Sequence, residues 1–95
     1  MKINFTQFPI YDGIKKERLI VHNISESLAN GIYINIPGLK AHLLAEKIYK
    51  SVEEMDLDNE EIKIIIESAE MFPGVLADSI KDYLNKEETE ENHAD

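Results

Sequence analysis

An α+β fold, an N-terminal β-hairpin packed on a small bundle of about four helices, is what this sequence predicts. Three features carry that reading. The first 22 residues alternate polar and apolar side chains around an Asp12-Gly13 turn. From Ile24 to Leu84, apolar residues recur at helical spacing in four blocks. Caps and helix breakers separate the blocks. The 95 residues, 43% hydrophobic, suit one domain over residues 1–86, and the acidic stretch 87–95 has almost nothing to bury and is expected to be a disordered tail.

Lys2-Ile3-Asn4-Phe5-Thr6-Gln7-Phe8 reads as the first strand, with Ile3 and Phe5 on one face. Phe8 breaks the alternation, and Pro9 confines this part to an edge or a bulge. Asp12-Gly13 turns the chain, Lys15-Lys16-Glu17 lengthens the loop, and Arg18-Leu19-Ile20-Val21-His22 returns as the second strand. A lone hairpin is marginal in water, so it must lean on helices or pair with another chain.

The first helix spans roughly 24–34, with Ile24, Leu28 and Ile32 on one stripe. Asn23 with Glu26 three residues on has the spacing of a capping box. Gly31 costs about 1 kcal/mol relative to alanine inside a helix, which points to close packing there. The β-branched end Ile32-Tyr33-Ile34 can instead run extended, and Asn35 is a plausible stop. The second helix, Ile36 to Tyr49, is the best marked, with Pro37 in its first turn and Leu39, Leu43, Leu44 and Ile48 as its stripe. Ala41 and Ala45 beside that stripe allow a neighbouring backbone to come close. A connector over 51–57, with Met55 and Leu57 tucked inward, is short enough to make the second and third helices an antiparallel pair. Asp58 caps the third helix with Glu61 as its box partner, and Ile62, Ile65, Ile66 and Ala69 form its buried stripe. Phe72-Pro73-Gly74 breaks it, and Val75, Leu76, Ile80, Tyr83 and Leu84 build the fourth.

The chemistry that the residues exclude is as informative. Cysteine is absent, which removes disulfides, thiolate metal sites and cysteine nucleophiles. There is no apolar run of about 18 residues and no signal-peptide core at the N-terminus, so a cytoplasmic protein is expected. The net charge is −9, concentrated in residues 51–72, where eight carboxylates face one lysine. Such acidity opposes phosphate backbones and anionic membranes. Its plain role is solubility, and its sharper one is an acidic face for a basic partner.

Glu53, Glu54, Asp56, Asp58, Glu60 and Glu61 lie between two helices, as a calcium loop does. With Glu61 as the closing glutamate of an EF-hand, ligand positions fall on Lys50 and Val52 and the glycine position on Met55, so the pattern fails. His22, His42 and His93 are scattered, and His42 with Glu46 reads as a surface ion pair. No Gly-x-Ser-x-Gly turn and no glycine-rich phosphate loop occur. No enzyme, no metal and no cofactor are expected. Aromatic and basic residues meet only in the hairpin, where Phe5, Phe8, Tyr11, Lys15, Lys16 and Arg18 are the candidate interaction residues.

Ala41-His42-Leu43-Leu44-Ala45-Glu46-Lys47-Ile48-Tyr49, followed by the acidic helix opening Glu54-Met55-Asp56-Leu57-Asp58-Asn59-Glu60-Glu61, resembles a group of small proteins of Bacteroidetes-type phages, prophages and mobile elements. The resemblance covers residues 3 to about 84. It implies an accessory or assembly role and carries over no site residue. The expected function is a non-catalytic protein-interaction module, a homo-oligomer that uses the hairpin edge and an exposed part of the helical surface. Two alternatives are an acidic inhibitor or nucleic-acid mimic that occupies a basic protein groove, and a small regulatory protein that touches nucleic acid through the hairpin loop.

Overall fold

Asn4 decides the course of the N-terminal segment. The computed structural model describes residues 1–93, with side chains described through Asn85. Strand β1 is only Lys2–Ile3. The Asn4 side chain then accepts a hydrogen bond from the Thr6 N–H at 2.9 Å and caps a single 3-10 turn, Phe5–Gln7. Strand β2, Phe8–Tyr11, begins after that turn and pairs antiparallel with β3, Leu19–His22. The single strand expected over residues 2–8 is therefore two pieces. The first does not belong to the hairpin: Lys2 and Ile3 pair with Asp56 and Met55 of β4, Met55–Asp56, in the connector read as a loop. The four segments make two separate two-stranded sheets.

Helix α1 is Ser25–Asn35, continuous through the β-branched stretch. Asn23 accepts from the Ser25 N–H at 3.1 Å and from the Ser25 hydroxyl at 2.7 Å, and no reciprocal bond from Glu26 completes the expected box. Gly31 sits under the Phe72 ring, so close that an added Cβ would lie 2.4 Å from Cζ. Helix α2 is Leu39–Lys50. Its N-cap is Gly38, at φ 106° and ψ 155°, a conformation that is essentially glycine-only. Pro37 therefore stands one residue ahead of the cap rather than in the first turn.

The buried face of α2 is Ala41, Leu44, Ala45 and Ile48, while Leu39 and Leu43 are 73% and 54% exposed. The expected stripe was rotated toward the larger residues. The small ones won because they let α1 approach: Ala29 and Ala45 line the seam between α1 and α2, the most extensive helix contact among the described residues. The α2–α3 pairing expected from the short connector is a minor contact, and α3 packs mainly on α4 and α1.

Helix α3, Asn59–Ala69, has the expected capping box, with Asp58 accepting from the Glu61 N–H at 2.8 Å and Glu61 accepting from the Asp58 N–H at 2.9 Å. Ile62, Ile65, Ser68 and Ala69 are buried, and Ile66 is half-buried. Helix α4 runs Gly74–His93 and buries Ala77, Ser79, Ile80 and Leu84. Its backbone stays helical through much of the stretch expected as an irregular acidic tail, where no glycine or proline interrupts. Residues 94 and 95, the end of that stretch, lie outside the described residues. One core joins Ile3, Phe5, Phe8 and Ile10 to the inner faces of all four helices. No helix among the described residues is long and apolar enough to cross a membrane.

Three substitutions test these packing and backbone constraints by equilibrium denaturation. Gly31→Ala gains helix propensity but must displace the Phe72 ring, and overpacking of this kind costs about 1–3 kcal/mol. Phe72→Leu in the Gly31→Ala background should recover part of that loss, a non-additivity that a double-mutant cycle reads directly. Gly38→Ala has open space around the added methyl. Its loss, about 1–3 kcal/mol, comes from the backbone alone and should be additive with the first pair.

Candidate functional site

The hairpin is held by one of its two edges. In β2, Phe8 and Ile10 point inward and are buried. The Phe8 ring lies 5.8 Å from Phe5 and 5.1 Å from Tyr83 of α4, in an aromatic cluster that clamps the ribbon to the helices. Phe5 and Phe8, both 1% exposed, are therefore core residues and not contact residues. They were expected among the interaction residues of the hairpin, and the packing of the ribbon on the helices places them inside instead.

Beyond Phe8, α4 also seals the outer edge of β2. The Tyr11 N–H donates to Ser79 Oγ at 2.9 Å, and Ser79 in turn donates to the Val75 carbonyl at 2.6 Å. The Tyr11 hydroxyl donates to Asp82 Oδ2 at 2.8 Å. That bond holds the phenol above the ordinary tyrosine range, with partial burial and the charges of Asp82 and Asp78 acting the same way. Lys16 completes the cluster. Its backbone is left-handed at φ 56°, which turns the side chain back over the Tyr11 ring, 5.2 Å from Nζ to the centroid. Its Nζ lies 3.6 Å from Asp78 and 3.7 Å from Asp82. Arg18 is spent locally, its Nε donating to Asp12 Oδ2 at 2.9 Å. Lys15 is exposed. The six candidate residues thus divide into two core rings, a sealed Tyr11–Lys16 cluster, one internal ion pair and one free-standing loop lysine. Ser79, Asp78 and Asp82 were not anticipated: they lie 68 or so residues from Tyr11, and nothing local to either segment announces the contact.

The other edge is different. All four residues of β3 are exposed, Leu19 and Val21 by 59% and 61%, and Ile14 in the loop is fully exposed. Among the described residues no further strand pairs with β3. A row of backbone donors and acceptors therefore runs beside Leu19, Ile20 and Val21, with charge only at its ends.

Two grooves lie elsewhere. One, about 470 Å³, is lined by Leu39, Lys40, Leu43, Leu44, Lys47 and Glu61. Its lysines are engaged: Lys40 Nζ lies 3.1 Å from Asp58 and 3.0 Å from Glu60, and Lys47 Nζ donates to the Asp56 carbonyl at 2.8 Å and to Glu61 at 3.3 Å. The acidic stretch before and at the start of α3 is in part neutralised by α2. The Asp58 carboxyl is held below the ordinary aspartate range, first by the Glu61 N–H and then by Lys40. Its contribution to stability is complete above the ordinary aspartate pKa and is lost as pH falls through the lowered value. The second groove, about 320 Å³, lies between α1 and α2. His42 Nε2 and Glu46 Oε1, 3.0 Å apart, form the expected surface pair beside it. Among the described residues no group of three histidine or acidic side chains converges as metal ligands.

The Tyr11 cluster predicts an alkaline signature. The raised phenol pKa means that the Tyr11–Asp82 bond contributes fully below the ordinary tyrosine pKa and is lost as pH rises through the raised value. In a phenolate absorbance titration, Asp82→Asn should bring one of the four tyrosines back toward the ordinary range and leave the others in place.

Compared with known protein families, curated proteins and solved structures, the chain finds no match.

Proposed function

We propose that this protein is a protein-interaction module that works by strand addition, and that the strand it adds to β3 is β3 of a second copy. One observation carries the reading: the hairpin has one edge sealed by α4 and the other left open, apolar and uncharged along Leu19-Ile20-Val21. Proteins that stay monomeric blunt such an edge with lysine, proline, a bulge or a covering segment. Here the blunting devices are on the wrong strand, since Pro9 lies in β2. Antiparallel pairing of β3 with its twin gives a four-stranded sheet with two-fold symmetry. The distribution of charge supports self-association at this place: a chain of net −9 is least acidic over residues 1–22, where two copies repel least. The resemblance to small phage and mobile-element proteins adds an accessory or assembly role as the setting. The hairpin loop is less well suited to nucleic acid, because Lys16 and Arg18 are already matched with carboxylates.

Light scattering at tens to hundreds of micromolar protein tests this. The wild type should have the mass of a dimer, and Val21→Lys or Leu19→Lys should give a folded monomer, since both side chains are exposed in the single chain. A monomeric wild type across that range, or a dimer untouched by either lysine, sinks the reading.

A further inference from the structure

The groove between α1 and α2 has a chemistry that the hairpin edge does not share. We propose that it receives an arginine side chain from a basic protein segment. Glu26 in the first turn of α1 and Glu46 of α2 bring a carboxylate from each helix to one groove, and Lys50 is the single cation in its lining. Tyr33 and Tyr49, one from each helix, border the same groove and are both more exposed than buried. His42 holds Glu46 at 3.0 Å and lies 5.2 Å from the Tyr33 ring, centroid to centroid, so that side of the groove is positioned before anything binds. The groove is open and about 320 Å³, room enough for one long side chain.

These features select a guanidinium. It is planar, it stacks on a phenol face, and its paired N–H groups match a carboxylate. Its three-carbon stem can lie along the apolar floor between the tyrosines. An anionic occupant would meet both glutamates, and a purely apolar one would take water from them without supplying a donor in its place. The surrounding field acts in the same direction, because a molecule of net −9 concentrates basic segments at its surface.

The test is a titration of the full-length, isotope-labelled protein with a blocked three-residue peptide carrying arginine, followed by backbone amide shifts at low ionic strength. Matched peptides carry lysine or the neutral isostere citrulline. Saturable shifts centred on Glu26, Tyr33, Glu46 and Tyr49, absent with citrulline and weaker with lysine, are expected. Tyr33→Ala and Tyr49→Ala should each weaken the arginine peptide roughly two- to fivefold. Both residues are exposed, so the core is spared, and unchanged circular dichroism checks that. Equal binding of arginine and citrulline, shifts spread evenly over the acidic residues 53–61, or full affinity in both tyrosine variants overturns the proposal. Val21→Lys, which breaks the β3 edge, should leave the titration unchanged, so the two readings fail independently.

Discussion

Four apolar side chains near the N-terminus must face the same core, and a regular strand cannot make them do so. Ile3 and Phe5 are in phase with each other, as are Phe8 and Ile10, but the second pair is out of phase with the first by one residue. In an extended chain one pair would point to solvent. The 3-10 turn at Phe5–Gln7 absorbs the slip, and all four are buried. The rest of the topology follows from that turn. It ends β1 after two residues and leaves it to pair with the connector. It also starts the hairpin at Phe8 and brings the Phe5 carbonyl to the Ile24 N–H at 2.8 Å, at the entrance of α1. Burying two phenylalanines is worth about 3–6 kcal/mol before entropy is counted, a large share of what a domain this size has to spare.

Around that ribbon the helices are spaced by small residues. Gly31 accommodates Phe72 and fixes how near the α3–α4 corner comes to α1. Alanines 29, 41 and 45 do the same for α1 and α2, which join through Ile36, Pro37 and the left-handed Gly38. The α2–α3 junction is made differently. Little apolar surface is shared, and Lys40 and Lys47 instead reach the acids at the start of α3. Exposed ion pairs add little stability each. Here they orient a capped helix end that the capping box already holds, and they relieve the crowding of carboxylates over residues 56–61.

Elements were legible wherever a local signal decided them. The Asp58–Glu61 cap, the break at Phe72-Pro73-Gly74 and the close approach at Gly31 each rest on residues a few positions apart. The partner of each element was less legible. Leu39 and Leu43 belong to the strongest-looking stripe of α2, yet they are exposed, because hydrophobic size says which residues want burial and small size says where a neighbour fits. The two criteria disagree on α2, and packing obeyed the second. The candidate site shows the same division. A hairpin with an open edge was readable from Pro9, Asp12-Gly13 and the length of 18–22. Which edge stays open was not, since it depends on Ser79 and Asp82 meeting Tyr11 across most of the chain. The phase break at Phe8 was visible and marked the 3-10 turn, although alone it is equally the mark of a bulge.

The asymmetry of the hairpin also bears on stability. A two-stranded ribbon is marginal, and this one is anchored mainly through β2, the short Phe5–Gln7 turn and the Lys16 contacts with α4. β3 contributes Ile20 opposite the buried Ile10 and otherwise faces water. Whatever pairs with its free edge binds the folded ribbon and not a frayed one, so association and local folding are linked. In the single chain, β3 is then the strand most ready to open, with exposed hydrogen bonds and few buried contacts. Pairing with a second copy would convert the weakest element of the fold into the centre of a four-stranded sheet. If β3 pairs with its twin, the apolar surface of Leu19, Ile20 and Val21 is covered in the pair, and the stability of the fold rises with the concentration of the chain.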